Sequence, residues 1–431
     1  MRDSGALQST IDDALAGTPP GRCVWIALSG GLDSSLLLTL AADACRRHPR
    51  PLRALHVHHG LQAAADGFER HCRRLASRLG VPLWVERVDV DLTAGRGMEG
   101  AAREARYAAF ARRLAPGDTL WLAQHADDQA ETLLLAALRG SGVRGLAAMP
   151  AGRDGQGRCL ARPLLGASRA ALEAEAARRG LVWVEDPSNA DESLDRNFLR
   201  RRVLPLLETR WPVASRRLAR SAALAGEADG LLDELAALDL ERLGGDPARL
   251  PVVELQALSA PRRRLLIRHA CQRLGLSTPP ARRLETLLDQ LEARMDGEVR
   301  VAWPGAEARV WRGRLHLMRP VEAASDDGGS GWPVAWDGQA PLVTPWGAWR
   351  VTLRRDDGAP VSLRVMPRMG GERLRLAGRG RRDLKRLLQE LGVPPWERGR
   401  LLVVHHGEAA VAVLEPQGAR WRTLAEGWSV A

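Results

Sequence analysis

The chain has 431 residues, 45% of them apolar, which is material for roughly two to four domains with a real core. Its 63 basic and 52 acidic residues leave a formal net charge of +11, an excess that favours a polyanionic partner because each phosphate contact releases counterions. No apolar run approaches the roughly 20 residues that span a bilayer, and the five cysteines form no C-x-x-C pair, which argues against a membrane protein, a disulfide framework and a zinc or iron–sulfur site. The first twenty residues include Asp3, Asp12 and Asp13 and lack a charged start followed by a greasy stretch. No signal peptide is expected, and a cytoplasmic location is.

Residues 23–28 (CVWIAL) form a continuous apolar run, and residues 52–57, 83–88 and 119–123 repeat it. Amphipathic stretches at 34–46 and 68–79 lie between them. Strands alternating with helices predict an α/β domain over residues 1–207, built on a doubly wound parallel sheet. Ligands of such sheets sit at the carboxyl ends of the strands. At residues 208–291 helical spacing takes over and strand runs disappear, so a mainly helical domain is expected over 208–322. Alternating apolar character at 303–318 predicts a strand pair that closes it. The polar, Gly-rich stretch 325–331 reads as a linker. A small α+β domain follows over 332–431, with strand-like runs at 349–353, 401–405 and 410–414 around a helix at 382–391.

Ser29-Gly30-Gly31-Leu32-Asp33-Ser34 follows the first apolar run and opens a helix. Two glycines let the backbone approach an anion and adopt positive φ. The free N–H groups of the next helical turn face that anion, aided by the helix dipole. Ser29 and Ser34 add hydroxyl donors. Asp33 would repel a phosphate unless a cation lay between them, so it implies Mg²⁺. The G-K-[ST] ending of a Walker A loop is missing, and the chain's single lysine, Lys385, lies far away. The plainer alternative is a tight strand-to-helix turn with an Asp–Ser cap.

Further along, His56 and His58 share one face of the second strand. Glu99, Arg103 and Arg106 share a helix face through steps of four and three. His125 sits where the fourth run turns into a helix, and Asp128 and Glu131 follow on one face. Acids at a helix start are also ordinary capping, but His, Asp and Glu beside a phosphate loop suit metal binding and proton transfer. Residues 140–146 (GSGVRGL) form a loop flexible enough to approach a substrate.

S-G-G-x-D-S resembles the signature of the PP-loop family, whose members hold pyrophosphate in this loop and transfer AMP to a substrate oxygen. The family includes GMP and NAD synthetases, tRNA thiolases and lysidine synthetases. Arg162-Pro163-Leu164-Leu165, Glu185-Asp186-Pro187-Ser188-Asn189 and Asp195-Arg196-Asn197-Phe198-Leu199-Arg200 resemble the lysidine synthetase pattern, in the same order. LLQELGVPPWER at 387–398 resembles that group's C-terminal domain. Asp383 departs from it by interrupting the run Arg381-Arg382-Asp383-Leu384-Lys385-Arg386, where relatives are more uniformly basic.

The resemblance implies a PP-loop, Rossmann-like first domain and two tRNA-binding domains. It implies ATP and Mg²⁺ as cofactors, with Ser29, Gly30, Gly31, Leu32, Asp33, Ser34 and His56 at the nucleotide and Asp33 on the metal. The implied substrates are L-lysine and the isoleucine tRNA with a CAU anticodon, whose wobble cytidine becomes lysidine. Arg106 or Arg103 would stabilise charge on the α-phosphate or on AMP. Asp128, Glu131 or His125 would bind the lysine ammonium and take its proton. The working form would be a monomer or homodimer. A PP-loop tRNA thiolase is the nearest alternative, but its chemistry generally needs paired cysteines, and the cysteines here are scattered away from the motifs in sequence. A non-catalytic RNA-binding protein would keep the basic charge without needing the carboxylates.

Overall fold

The computed structural model describes residues 4–60, 65–90, 97–155, 158–293, 299–320 and 331–430. Packing divides the chain into two compact units, Met1–Asp233 and Glu234–Ala431.

In the first unit, α1 (Ser4–Ala16) precedes β1 (Val24–Ala27), α2 (Leu32–Arg47), β2 (Leu52–His58), α3 (Ala65–Leu79) and β3 (Leu83–Arg87). Then come α4 (Gly97–Arg113), β4 (Thr119–Trp121), α5 (Ala126–Leu138) and the short α6 (Val143–Leu146). A hairpin of β5 (Gly152–Gly155) and β6 (Arg158–Ala161) leads to α7 (Arg169–Arg178). α8 (Asp195–Phe198) continues through a π-turn, Leu199–Val203, into α9 (Leu204–Arg210) and the long α10 (Ala214–Arg242).

The six strands lie in the order β3-β2-β1-β4-β6-β5. All pairings are parallel except β5 with β6, an antiparallel edge hairpin that the strand–helix alternation did not predict. Ile26 pairs with Ala54 on one side and Trp121 on the other. Val24, Trp25 and Ile26 are buried whichever way they point, as expected for a strand covered on both faces. One layer packs Leu36, Leu37, Leu40, Leu164 and Leu172 under the sheet. The opposite layer packs Trp25, Leu55, Phe110, Leu114 and Leu120. Buried Asp118 ties the two central strands at their amino ends: its carboxylate accepts from Trp25 Nε1 at 2.9 Å and Cys23 N at 3.2 Å. The chain leaves β3 at one edge and re-enters beside β1 as β4. That reversal opens a crevice at the carboxyl ends of β1 and β4.

The second unit begins in the last turns of α10. It contains β7 (Arg249–Pro251), α11 (Val252–Gln256), α12 (Ala260–Arg273), α13 (Ala281–Ala293), β8 (Arg300–Trp303), β9 (Ala306–Trp311) and β10 (Arg314–Met318). The strands form an antiparallel sheet in the order β7-β10-β9-β8. This is larger than the strand pair expected, and β7 falls inside the stretch expected to lack strands. Three residues ending in proline are too short to display a period of two.

The remainder comprises β11 (Val334–Trp336), the ribbon β12 (Leu342–Thr344) with β13 (Gly347–Trp349), and β14 (Arg354–Arg355). After these come β15 (Leu363–Pro367), β16 (Arg373–Leu376), β17 (Gly380–Asp383), α14 (Leu384–Glu390), α15 (Pro395–Arg398), β18 (Leu402–His406), β19 (Ala409–Glu415), β20 (Arg420–Leu424) and β21 (Trp428–Ser429). Seven of these strands make one mostly antiparallel sheet. Residues 350–353, expected as a strand, lie outside the ladders; Val351 and Leu353 are buried as core side chains instead. The expected helix at 382–391 starts at Leu384, because Asp383 is its N-cap and accepts from Arg386 N at 3.2 Å.

Candidate active site

The loop between β1 and α2 is braced by one hydroxyl. Ser34 Oγ accepts from Ser29 N at 3.1 Å and from Gly30 N at 3.2 Å, donates to Gly31 O at 3.2 Å, and lies 2.9 Å from Ser29 Oγ. Gly31 is the N-cap of α2, so Leu32 and Asp33 open the helix with its orphan N–H groups. Gly30 has φ +94°, and a Cβ there would stand 3.2 Å from Cys72 Sγ. The loop therefore needs glycine for its backbone and for the space behind it.

His56 supports this loop from behind. It is buried, and its Nδ1 donates to Leu28 O at 2.8 Å. Burial lowers its pKa, only partly opposed by the Leu28 hydrogen bond, so the ring is neutral. Cys72 Sγ lies 3.5 Å from the same nitrogen. The expectation that no cysteine lies near the motifs is thus corrected: Cys72 reaches them through the fold. Burial pushes its thiol up to about 12, which keeps it un-ionised.

Across the crevice, the β4–α5 turn brings up the acids. His125 is the N-cap of α5, and its N–H donates to Asp128 Oδ2 at 3.1 Å. His125 Nε2 lies 3.5 Å from Asp128 Oδ2 and 3.8 Å from Asp33 Oδ1, while Nδ1 lies 3.5 Å from Asp127 Oδ2. His125 thus joins the loop after β1 to the helix after β4. Burial favours its neutral ring, but the nearby carboxylates of Asp127, Asp128 and Asp33 outweigh this, and its pKa is raised. Asp33 is pushed up by burial, against the pull of His125 and Arg169.

Three arginines complete the cluster. Arg169 Nη1 donates to both oxygens of Asp33, at 2.9 and 2.8 Å. Glu131, with a fully buried carboxylate, accepts from Arg196 Nε at 2.7 Å and Arg200 Nε at 2.6 Å. Arg200 Nη2 also reaches Asp128 Oδ1 at 3.0 Å. Five carboxylates (Asp33, Asp127, Asp128, Glu131 and Glu173, which accepts from Arg169 Nε at 2.8 Å) face three guanidiniums, a deficit of two positive charges that a protonated His125 halves. Such a net-negative site accepts a cation readily.

The structure therefore brings together Ser29, Gly30, Gly31, Leu32, Asp33, Ser34, His125, Asp128 and Glu131, with His56 behind the loop. Arg106 lies elsewhere, beside His59 at the end of β2, where its charge helps lower that ring's pKa after burial. Arg103 stacks on Tyr107 at 5.2 Å. The Glu99 side chain lies outside the described residues. Sequence reasoning gave no role to Arg169, Arg196, Arg200 or Asp127. Arg196 and Arg200 carried a usable signal, since a spacing of four puts them on one face. Arg169 carried none: it meets Asp33 across 136 residues of chain. Arg162, within the Arg-Pro-Leu-Leu stretch, is buried and donates to Gln124 Oε1 at 2.5 Å and Pro150 O at 2.7 Å, fixing the strand end before His125.

Residues 5–207 match the model of a PP-loop domain, so the parallel sheet and its glycine turn define a PP-loop protein. Residues 250–316 match a TilS substrate binding domain and residues 363–423 a TilS substrate C-terminal domain. Three proteins named tRNA(Ile)-lysidine synthase are similar along nearly the whole length. That of Alkalilimnicola ehrlichii is 45% identical, covering 96% of this chain and 94% of its own. That of Xanthomonas axonopodis pv. citri is 46% identical, covering 96% and 93%. That of Pseudomonas putida is 45% identical, covering 91% and 92%. The chain belongs to the tRNA(Ile)-lysidine synthase family.

Proposed function

We propose that this chain ligates free L-lysine to C2 of the wobble cytidine of the CAU-anticodon isoleucine tRNA, so that the tRNA reads AUA. The observation that carries this is the family membership across nearly the whole chain, with the phosphate loop and the acid–arginine cluster in one crevice. In the first step cytosine O2 bonds to the α-phosphorus of ATP and pyrophosphate leaves. In the second, the lysine ε-nitrogen bonds to C2, and AMP departs with O2.

The loop N–H groups and the hydroxyls of Ser29 and Ser34 would hold the departing pyrophosphate in line. Ser34 Oγ, which now satisfies Ser29 N and Gly30 N, would yield those donors to phosphate oxygens. Arg106 would reach the α-phosphate from the β2 side. The lysine ammonium must lose a proton before it attacks. Asp128 suits this task better than Glu131. Asp128 Oδ2 faces His125, whereas both Glu131 oxygens are taken by arginines. Glu131 would hold Arg196 and Arg200 in place.

The donor set also suits Mg²⁺. Among the described residues no three side chains form a metal cage, but Mg²⁺ commonly takes one or two carboxylates and completes its shell with phosphates and water. Asp33 and Asp128 converge on one imidazole nitrogen within 3.8 Å. Asp33 would be the ligand, after giving up Arg169. The ion would neutralise charge on the phosphates.

The relatives favour this reading over sulfur transfer, and the cysteine chemistry agrees. Burial pushes the thiols of Cys23, Cys72 and Cys271 up to about 11, 12 and 12, which makes poor nucleophiles. A cytoplasmic site of action suits a tRNA substrate; among the described residues no helix is long and apolar enough to cross a membrane. Incubation with ATP, radiolabelled lysine and bulk bacterial tRNA tests the proposal. Label should enter RNA only when all three are present; label entering without ATP, or none entering with all three, contradicts it.

A further inference from the structure

Trp396 lies in the stretch at 387–398 that the chemistry above leaves unused. It projects from α15 onto the sheet β7-β10-β9-β8, and both sides belong to the second compact unit. Its ring meets His316 edge-on at 5.2 Å and Trp311 at 6.4 Å, and the guanidinium of Arg309 lies over it at 5.2 Å. Such ring interactions add to plain area burial. His316 is buried and kept neutral by burial and by Arg249 and Arg314, so it packs as an aromatic ring.

A second contact lies at the β9–β10 hairpin. Arg312 and Gly313 have φ +48° and +69°, the double left-handed turn that suits a two-residue hairpin. Arginine is an unusual choice for the first position, where Asn or Gly sits without strain. Here its side chain explains the choice. The guanidinium stacks on Trp311 at 4.7 Å, and Nη2 donates to Gln389 O at the carboxyl end of α14. A cation there also meets the negative end of the helix dipole. Strain persists where the surrounding structure over-determines the geometry.

On either side of this joint lie exposed basic residues. Arg249 and Arg314 lie at the ends of β7 and β10 in the small sheet, and Arg381 and Arg382 lie in β17 with Lys385 and Arg386 in the first turn of α14. Two basic surfaces held at a fixed spacing bind a polyanion of fixed shape better than two surfaces that move independently, because the second surface is then already in place.

We propose that Trp396 and Arg312 are positioning residues that lock residues 334–430 to the small sheet, so that both basic surfaces grip one tRNA as a single rigid body. This rests on the tRNA reading above. The test compares the full-length enzyme with W396A, W396F and R312A in steady-state lysine incorporation and in small-angle scattering of the free proteins. In W396A and R312A the KM for tRNA should rise about tenfold, with kcat and the KM values for ATP and lysine retained and a larger radius of gyration. W396F, which keeps an edge-on ring, should recover most of the loss. An unchanged KM for tRNA in R312A, or a fall in kcat with KM unaltered, overturns the proposal; R312A decides alone should W396A fail to fold. A wild-type enzyme that leaves tRNA unmodified would instead refute the functional reading.

Discussion

At Gly30 the backbone turns to φ +94°, and a Cβ would press on Cys72 Sγ at 3.2 Å. G30A should therefore weaken ATP binding by about tenfold or more, since strain of this kind costs on the order of 1–3 kcal/mol. Calorimetric titration with ATP checks this; wild-type affinity would show that the loop tolerates a side chain. His316 carries a pH prediction. Burial, with Arg249 and Arg314, lowers its pKa from 6.5 to about 4. A histidine held neutral in the fold gives stability that is present above its ordinary value and lost as pH falls through its folded value. Melting temperature should thus fall between pH 6.5 and about 4. H316F, which keeps a ring but cannot titrate, should show a shallower fall; parallel curves would remove His316 from the account.

Among the elements, α14 shows how a local departure from pattern becomes intelligible. Asp383 looks out of place in a basic run, yet it caps the helix that carries the run's second half, Lys385 and Arg386. D383A should destabilise the second unit by about 1 kcal/mol, measured by urea unfolding, and an unchanged midpoint would show the cap to be idle. Apolar runs and glycine turns made β1, β2, β4 and α5 legible, because strands buried on both faces advertise themselves in sequence. The same logic found Ser29–Ser34 and His125, which lie at strand ends. It failed at β7, a strand of three residues, and at residues 350–353, where Val351 and Leu353 are buried without joining a ladder. It also failed at Arg169, whose meeting with Asp33 is made only by tertiary packing. Local pattern reports local burial, while ion pairs between distant segments leave no periodic trace.

For the whole molecule, a net charge of +11 predicts a tRNA association constant whose logarithm falls linearly with the logarithm of salt concentration. Removing Arg381 and Arg382 together should lower that slope by roughly two, one for each phosphate they would neutralise. Filter binding over a salt series measures it, and an unaltered slope would place the RNA elsewhere. The proposed chemistry demands one bond change above all others, cleavage of ATP between its α- and β-phosphates in response to tRNA. The direct measurement is the fate of γ-labelled ATP incubated with the enzyme and isoleucine tRNA. The account predicts label in pyrophosphate, formed only with tRNA present and abolished in D33A. Label in orthophosphate, with ADP as the other product, would contradict it.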